Sequence, residues 1–262
     1  MKLKLVKSVL LVFCLVFGFS ACKKEDPKPL PETSGKLYPV SVTRSASYTS
    51  DVTRSEFTYN NANQITKEAV FKNGLPQGFN LFHYDAAGKL IKKTYHSETG
   101  QLKEQDLISY SAAGQPDKLL HGYVDTAGTF EPHHYRLHNF HADGRILSWS
   151  EFMPSDAPMG WRSYAYPSTE KVISQAYNNS GQHVNTSEIT FDLKPHPFQH
   201  TAINLIVFAG NELRHEVKDL NNQVISSYSN AILYNQAGYP EKITQTHTSG
   251  VVKTEIYEYR AE

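Results

Sequence analysis

The chain has 262 residues, which is enough for one large all-β domain or for two smaller domains. Its 26 Lys and Arg residues equal its 26 Asp and Glu residues in number, so no excess of positive charge favours a nucleic acid as partner. Because 39% of the residues are hydrophobic and only 20% are charged, the composition excludes a disordered chain and predicts a folded domain.

The first 21 residues have the pattern of a bacterial signal peptide. Three lysines precede an apolar run over residues 9–19, and a run of about 11 residues is too short for a membrane helix, which needs about 20. Phe19-Ser20-Ala21-Cys22 then resembles a bacterial lipobox, in which the cysteine is acylated and becomes the mature N-terminus. We predict that residues 1–21 are removed and that a lipid on Cys22 anchors the protein to a membrane. The alternative is an ordinary signal peptide with an unrelated cysteine.

Residues 22–36 connect this anchor to the rest of the chain. Lys23-Lys24-Glu25-Asp26 is followed by prolines that alternate with polar residues, a composition typical of a semi-extended tether. The pattern of lysines followed by acids resembles the export tag of Bacteroidota lipoproteins that face outward from the outer membrane, and the alternative is a solvated run of charges. We predict an outer-membrane lipoprotein whose domain faces the periplasm or the cell surface.

The other cysteine, Cys14, lies within the predicted signal peptide. A mature chain that begins at Cys22 therefore has no free thiol, which excludes a disulfide, a cysteine nucleophile and a cysteine zinc site. Removal of residues 1–21 leaves 23 basic and 26 acidic residues, so the mature protein is mildly acidic.

From residue 37 onward a short motif recurs about every 25 residues. An aromatic residue is followed four positions later by a turn residue, at Tyr59 and Asn63, Tyr84 and Gly88, Tyr110 and Gly114, Phe140 and Gly144, Tyr166 and Glu170, and Tyr234 and Gly238. Glycine supplies the positive φ angle that a tight hairpin needs, so the four glycines of this motif are predicted to be structural turn residues. A second turn falls midway through each period.

The segments between the turns are rich in Thr, Tyr, Val, Ile and Phe, which is typical of strands. From Leu37 to Tyr259 we count about 16 short antiparallel strands and no amphipathic helix. Twisted open sheets rarely exceed about ten strands, so we predict a single all-β domain over residues 37–262, curled into a closed or flattened soluble barrel. Strands such as residues 90–98 carry charges on both faces, which disfavours a lipid-facing barrel.

The units YDAAGKL, YSAAGQP and YNQAGYP resemble the YD repeats of the RHS family. With the lipobox and the length, the chain resembles a Bacteroidota lipoprotein family of unknown function that is described as having a porin-like fold. The resemblance covers most of the mature chain, although Glu170 and Phe191 depart from the motif. It implies a fold and not an activity, and it carries no catalytic residues over to this chain.

Residues 192–210 interrupt the repeat with a Pro-His-Pro turn and an apolar run from Ala202 to Ala209. Because a barrel of about 16 strands cannot fill its interior with wall side chains alone, we expect this insertion to pack into or across one barrel opening. If so, replacing Leu205 and Val207 by Asp should lower the melting temperature. The alternative is an exposed patch that binds a partner.

Histidines form the densest group of candidate metal ligands, at His133, His134, His138 and His141. On a strand, His134 and His138 would lie about 13 Å apart, which is too far to share a zinc ion. His215-Glu216 opens like the zinc-protease motif HExxH, but Asp219 replaces its second histidine. We therefore predict no metal site and no cofactor.

The best candidate ligand site is the loop between the two tryptophans, with Trp149, Met153, Met159 and Trp161. Such side chains can stack on a sugar ring or hold a hydrophobic partner, and the alternative is that the tryptophans pack as cross-strand neighbours beneath the loop. No nucleophile elbow, phosphate-binding loop or dinucleotide fingerprint is present in the sequence. We predict a non-catalytic binding or scaffolding protein with a glycan or an envelope protein as partner. The alternative is a carbohydrate-active hydrolase that uses a carboxylate pair at the barrel mouth.

Overall fold

The computed structural model describes residues 35–201 and 210–262, which form a closed barrel of 16 antiparallel strands. The strands are β1 Leu37–Ala46, β2 Val52–Tyr59, β3 Ile65–Lys72, β4 Leu75–Tyr84, β5 Leu90–Ser97, β6 Leu102–Tyr110, β7 Pro116–Val124, β8 Phe130–Phe140, β9 Ile146–Phe152, β10 Pro158–Ser168, β11 Lys171–Asn178, β12 His183–Phe191, β13 Glu212–Lys218, β14 Val224–Tyr234, β15 Pro240–His247 and β16 Val252–Ala261. Each strand pairs with its neighbours in the chain, and β1 pairs with β16. The predicted all-β meander is confirmed. Within these described ranges, no helix has the length and apolar character that a membrane crossing requires.

The barrel has two chemically different ends. The tyrosine end is formed by the connections that follow the repeat aromatics, at residues 59–65, 84–90, 110–116, 140–146, 168–171 and 234–240, together with the described residues 191–201 and 210–212. The other end is named the histidine end, because luminal histidines of β7, β8, β13 and β15 lie near it. β1 begins and β16 ends at the tyrosine end, so the chain enters and leaves the barrel there.

The repeat tyrosines tie each hairpin to the one before it. Their hydroxyl groups donate to a backbone carbonyl 19 or 20 residues earlier in the chain, at 2.6–2.9 Å: Tyr59 to Pro39, Tyr84 to Ile65, Tyr110 to Leu90, Tyr166 to Ile146 and Tyr259 to Pro240. Burial raises the pKa of Tyr84 and Tyr166 to about 12, so these hydroxyls remain protonated donors at neutral pH. Phe140 stands in the same row without a hydroxyl.

In copies such as those at Asn60, Asp85 and Asn235, the side chain of the residue after the aromatic stabilises the turn. The Asp85 carboxylate accepts hydrogen bonds from the backbone N–H groups of Ala87 and Lys89, at 2.9 and 2.8 Å. The motif glycines Gly88, Gly114, Gly144 and Gly238 adopt φ angles of 78°, 80°, 86° and 83°. At Glu170 the connection shortens to two residues between β10 and β11, which explains why this copy lacks the glycine.

The luminal face is apolar toward the tyrosine end. Ile65, Phe82, Leu90 and Ile108 form a buried cluster against which Phe57 also packs. The outer face carries ion pairs in contrast, for example Arg54 with Glu56 and with Glu258 at 3.0 Å, and Lys171 with Glu188 at 2.7 Å. The alternation of these two chemistries along each strand specifies which face is turned inward.

Part of the insertion crosses the tyrosine end; we name residues 192–201 the strap. The strap leaves β12, yet Phe198 packs on Phe57 of β2, six strands round the barrel, with ring centroids 5.4 Å apart. Pro197 is fully buried, and His200 Nε2 lies 3.0 Å from the Tyr239 hydroxyl. The strap therefore spans the opening, as expected of the insertion. The apolar run that contains Leu205 and Val207 lies outside the described residues.

Candidate functional site

The most concentrated group of functional side chains lies on the luminal face of β6 to β9, toward the histidine end. We name it the histidine cluster: Asp106, His121, His133, His134 and Glu151. Asp106 stands opposite His121, and His121 stands opposite His134, so these three side chains share the luminal face. Asp106 and the buried Ile108 are two positions apart on β6, which places the cluster on the same face as the apolar core.

Acidic and basic side chains of the cluster pair with one another. Asp106 Oδ1 lies 2.7 Å from His121 Nδ1, and Glu151 Oε1 lies 3.4 Å from His134 Nε2. Arg136 donates to the same Glu151 oxygen at 3.0 Å. The rings of His121 and His134 lie between the two carboxylates, with centroids 4.9 Å apart.

A bulge brings His133 into this group. The pairing of β7 with β8 shifts between His121 and Gly122, which leaves His133 without a partner on β7. Its Nδ1 lies 2.9 Å from His134 Nδ1, and its ring centroid lies 5.2 Å from that of Tyr123. His133 is exposed, so the cluster is accessible from solvent on this side.

Burial determines the charge state of part of the cluster. It lowers the pKa of His134, an effect that the nearby Glu151 opposes. It also lowers the pKa of His138, four residues further along β8. These imidazoles are therefore neutral at physiological pH, and each has one donor and one acceptor nitrogen.

A second luminal group lies on β13 to β15, about seven strands round the barrel from β7. His215 Nδ1 lies 3.2 Å from the Tyr228 hydroxyl, and the Tyr228 ring centroid lies 5.1 Å from that of His247. Burial lowers the pKa of His215 and raises the pKa of Tyr228. The histidine end is thus lined by polar and aromatic side chains on two walls.

A cavity of about 400 Å³ lies at the same end, beside the β1–β2 turn. Arg44 pairs with Glu255 at 3.0 Å, and Lys72 pairs with Asp51 at 2.7 Å. Lys253 adds a third positive side chain to its lining. Of these three positive side chains, Arg44 and Lys72 are paired with acids of the same lining.

The two tryptophans do not form one platform. Trp149 stands opposite Arg162 and Trp161 stands opposite Ser150, so the two rings lie on opposite faces of the sheet. Trp149 is luminal: its Nε1 donates to the Tyr164 hydroxyl at 3.0 Å, and the Arg136 guanidinium lies 5.1 Å from its ring centroid.

Trp161 lies outside, stacked on Tyr177 with ring centroids 3.6 Å apart. Met153 and Met159 flank the β9–β10 turn and are 40% and 41% exposed. The two tryptophans are therefore not cross-strand neighbours that pack together beneath the loop. Ligand binding at either ring stays a prediction.

The HExxH-like segment does not form a site either. His215 and Glu216 are consecutive on β13, so His215 points into the lumen and Glu216 points outward. Within residues 35–201 and 210–262, no three His, Asp or Glu side chains already surround a point where a metal ion could sit.

Sequence reasoning missed Asp106, His121 and Glu151. His121 could be paired with His134 by counting residues outward from the β7–β8 turn at residues 125–129. This count gives the correct pair only if β8 contains a one-residue bulge. That bulge is not visible in the residue pattern, so the pairing requires the structure.

Comparison with known proteins identifies the fold. A porin-like protein from Bacteroides uniformis superposes with a TM-score of 0.59 at 9% sequence identity, over 88% of this chain and 99% of that chain. A porin-like protein from Bacteroides vulgatus aligns over 86% of this chain and 99% of that chain, at 9% identity and a TM-score of 0.39. No protein-family model matches the chain, and no curated protein matches it in sequence. The fold and the lumen define an all-β protein with a closed barrel, and this barrel has the porin-like fold.

Proposed function

We propose that this protein is a membrane-anchored extracytoplasmic lipoprotein whose barrel binds a ligand at the histidine end and does not catalyse a reaction. The observation that carries the proposal is the asymmetry of the lumen. The tyrosine end is apolar and is crossed by the strap. The histidine end is lined instead by charged, imidazole and aromatic side chains. The strap crosses one end of the lumen, and the polar side chains at the other end supply the binding surface.

The outer face supports a barrel that stands outside the lipid. Arg54, Glu56 and Glu258 form an outward ion-pair network on β2 and β16, and Glu188 lies between Lys171 and Lys218 on the opposite side. A lipid-facing barrel needs a continuous apolar band on its outside. Attachment to the membrane would then depend on the lipid at Cys22, as the lipobox-like sequence predicts.

The hydrolase alternative has less support from the lumen. Both carboxylates of the histidine cluster have basic partners, since Asp106 contacts His121 and Glu151 contacts Arg136. A glycosidase needs one carboxyl group that donates a proton and a second that is free to act on the sugar or on water.

Ligand binding is tested with a glycan array probed by the mature protein. We expect saturable binding that is lost in Trp149→Ala, because this ring and Arg136 line the polar part of the lumen. Trp161→Ala is the matched control, since it removes an aromatic ring of the same size from the outer face of the neighbouring strand. Circular dichroism confirms that both variants fold.

Loss of binding in Trp161→Ala but not in Trp149→Ala would indicate that the ligand binds to the outer face. No binding to any glycan would contradict glycan capture and favour an envelope protein as partner, which cross-linking in the native envelope would then identify.

The anchor is tested by metabolic labelling with an alkyne fatty acid. We expect the wild-type protein to incorporate the label and to fractionate with the outer membrane, and Cys22→Ser to do neither. Cys14→Ser is the control, because this cysteine lies in the segment predicted to be removed. Labelling of Cys22→Ser at the wild-type level would exclude lipidation at this position.

A further inference from the structure

The three imidazoles of the histidine cluster lie close enough together to share one metal ion. Their ring centroids are 4.9 Å apart for His121 and His134, 5.2 Å for His133 and His134, and 6.3 Å for His121 and His133. Imidazole nitrogens bind zinc at about 2.0–2.1 Å, which places the centroids of tetrahedrally arranged ligands about 5 Å apart. Two of the three separations have this value, and the third exceeds it by about 1 Å.

One of the rings is already oriented as a metal ligand usually is, and a second lies beside a carboxylate. Asp106 contacts Nδ1 of His121, and Glu151 contacts Nε2 of His134. A metal-bound histidine typically donates its other ring N–H to a carboxylate, which fixes the tautomer and raises the basicity of the ligating nitrogen. His121 is thereby left with Nε2 as its free donor atom, and His134 with Nδ1.

The contact between His133 and His134 indicates where a metal ion would bind. Their Nδ1 atoms face each other at 2.9 Å, a separation at which two imidazole nitrogens share one proton. Ligand nitrogens of a tetrahedral zinc ion lie about 3.3 Å apart, so a metal ion that replaces this proton moves the rings apart by less than about 0.5 Å.

The described donors do not yet surround a common point, so binding also requires side-chain rotation. The exposed His133 has room to rotate, and the bulge at this position frees it from the strand pairing.

We propose that His121, His133 and His134 bind one divalent first-row transition-metal ion, such as Zn²⁺ or Cu²⁺, with Asp106 and Glu151 orienting the rings. The site does not depend on the proposed glycan ligand. It would replace the sequence-based expectation of no metal site, which considered only the histidines of one strand.

The test is calorimetric titration of untagged, chelator-treated mature protein with ZnCl₂ at pH 7.5. We expect the wild-type protein to bind one zinc ion per chain. This binding should be lost in His121→Gln and in His133→Gln, and the affinity should be about 10–100-fold weaker in Asp106→Asn. A parallel titration with CuCl₂ followed by electron paramagnetic resonance should show coupling to several nitrogen nuclei.

Controls are His138→Gln and His247→Gln, which remove luminal histidines outside the cluster and should bind zinc like wild type. If His121→Gln fails to fold, His133→Gln carries the test, because its side chain is exposed. Absence of binding, or binding that the His121 and His133 variants do not alter, would overturn the site. A negative glycan array would not affect this result.

Discussion

The hydrogen bond made by the tyrosine hydroxyl explains why most copies of the repeat motif begin with tyrosine. The Tyr84 hydroxyl donates to the carbonyl of Ile65, a residue that is completely buried. A buried carbonyl without a hydrogen-bond donor destabilises the folded state. The tyrosine hydroxyl supplies this donor and thereby stabilises the packing of neighbouring hairpins. Phe140 shows that one copy without the hydroxyl is tolerated when the rest of the row is intact.

Tyr84→Phe is expected to lower the free energy of unfolding by about 1–2 kcal/mol, because the Ile65 carbonyl loses its hydroxyl donor. Phe140→Tyr is expected to raise it by about 0.5–1 kcal/mol, since a hydroxyl there should reach the carbonyl of Pro116. Urea denaturation measures both changes. Tyr177→Phe is the control: it removes an exposed hydroxyl and should change stability by less than about 0.5 kcal/mol. Equal effects for Tyr84→Phe and Tyr177→Phe would show that the row adds no stability.

Among the elements, the strap has the largest effect on the shape of the lumen. Its first residue, Asp192, accepts hydrogen bonds from the Tyr234 hydroxyl and from the backbone N–H of Asn211, which hold both ends of the described insertion together. Phe198 then reaches the wall formed by β2 to β5. One irregular segment therefore connects two sides of the sheet that strand pairing leaves apart.

Phe198→Ala is expected to destabilise the barrel by about 2 kcal/mol, because the ring is half-buried against the apolar cluster. Leu193→Ala is the matched control within the strap: Leu193 is 60% exposed, and its truncation should cost less than about 0.5 kcal/mol. Differential scanning calorimetry compares the two variants. A Phe198→Ala protein as stable as wild type would mean that the strap rests on the barrel without stabilising it.

Across the whole molecule, buried histidines couple stability to pH. Burial lowers the pKa of His134, His138, His196 and His215 below the ordinary value of 6.5. In the unfolded chain these groups take up protons as the pH falls through 6.5, whereas in the folded barrel they do so only at lower pH. Their contribution to stability is therefore complete above pH 6.5 and is lost as the pH falls below it.

We expect the urea midpoint to fall steadily between pH 7.5 and pH 5.0, measured with a chelator present so that no metal ion competes for protons. Two carboxylates whose pKa is shifted titrate below this window. The hydrogen bond from Lys171 lowers the pKa of Glu188, and the hydrogen bond from Ser41 lowers that of Glu258, so both titrate below about pH 4.5. His196→Gln, which removes the buried strap histidine, should reduce the slope. A midpoint independent of pH across this range would contradict the assignment.

The local structure of this protein can be predicted from its sequence. The alternation of the strands, the turn chemistry of Asp85 and Gly88 and the number of strands can be read from short segments, because each depends on neighbours a few residues away. The number of strands also predicted a barrel, because so many strands cannot remain an open twisted sheet.

Contacts between side chains that are distant in the sequence depend on the completed barrel. Closure pairs Ser41 with Glu258, 217 residues apart, and no local pattern encodes that contact. The odd offset in the β9–β10 register puts Trp149 and Trp161 on opposite faces, and the bulge in β8 brings His133 to His121. The physical reason is common to all three: side chains alternate with a period of two, so a shift of one residue reverses the face, and only the completed pairing fixes that shift.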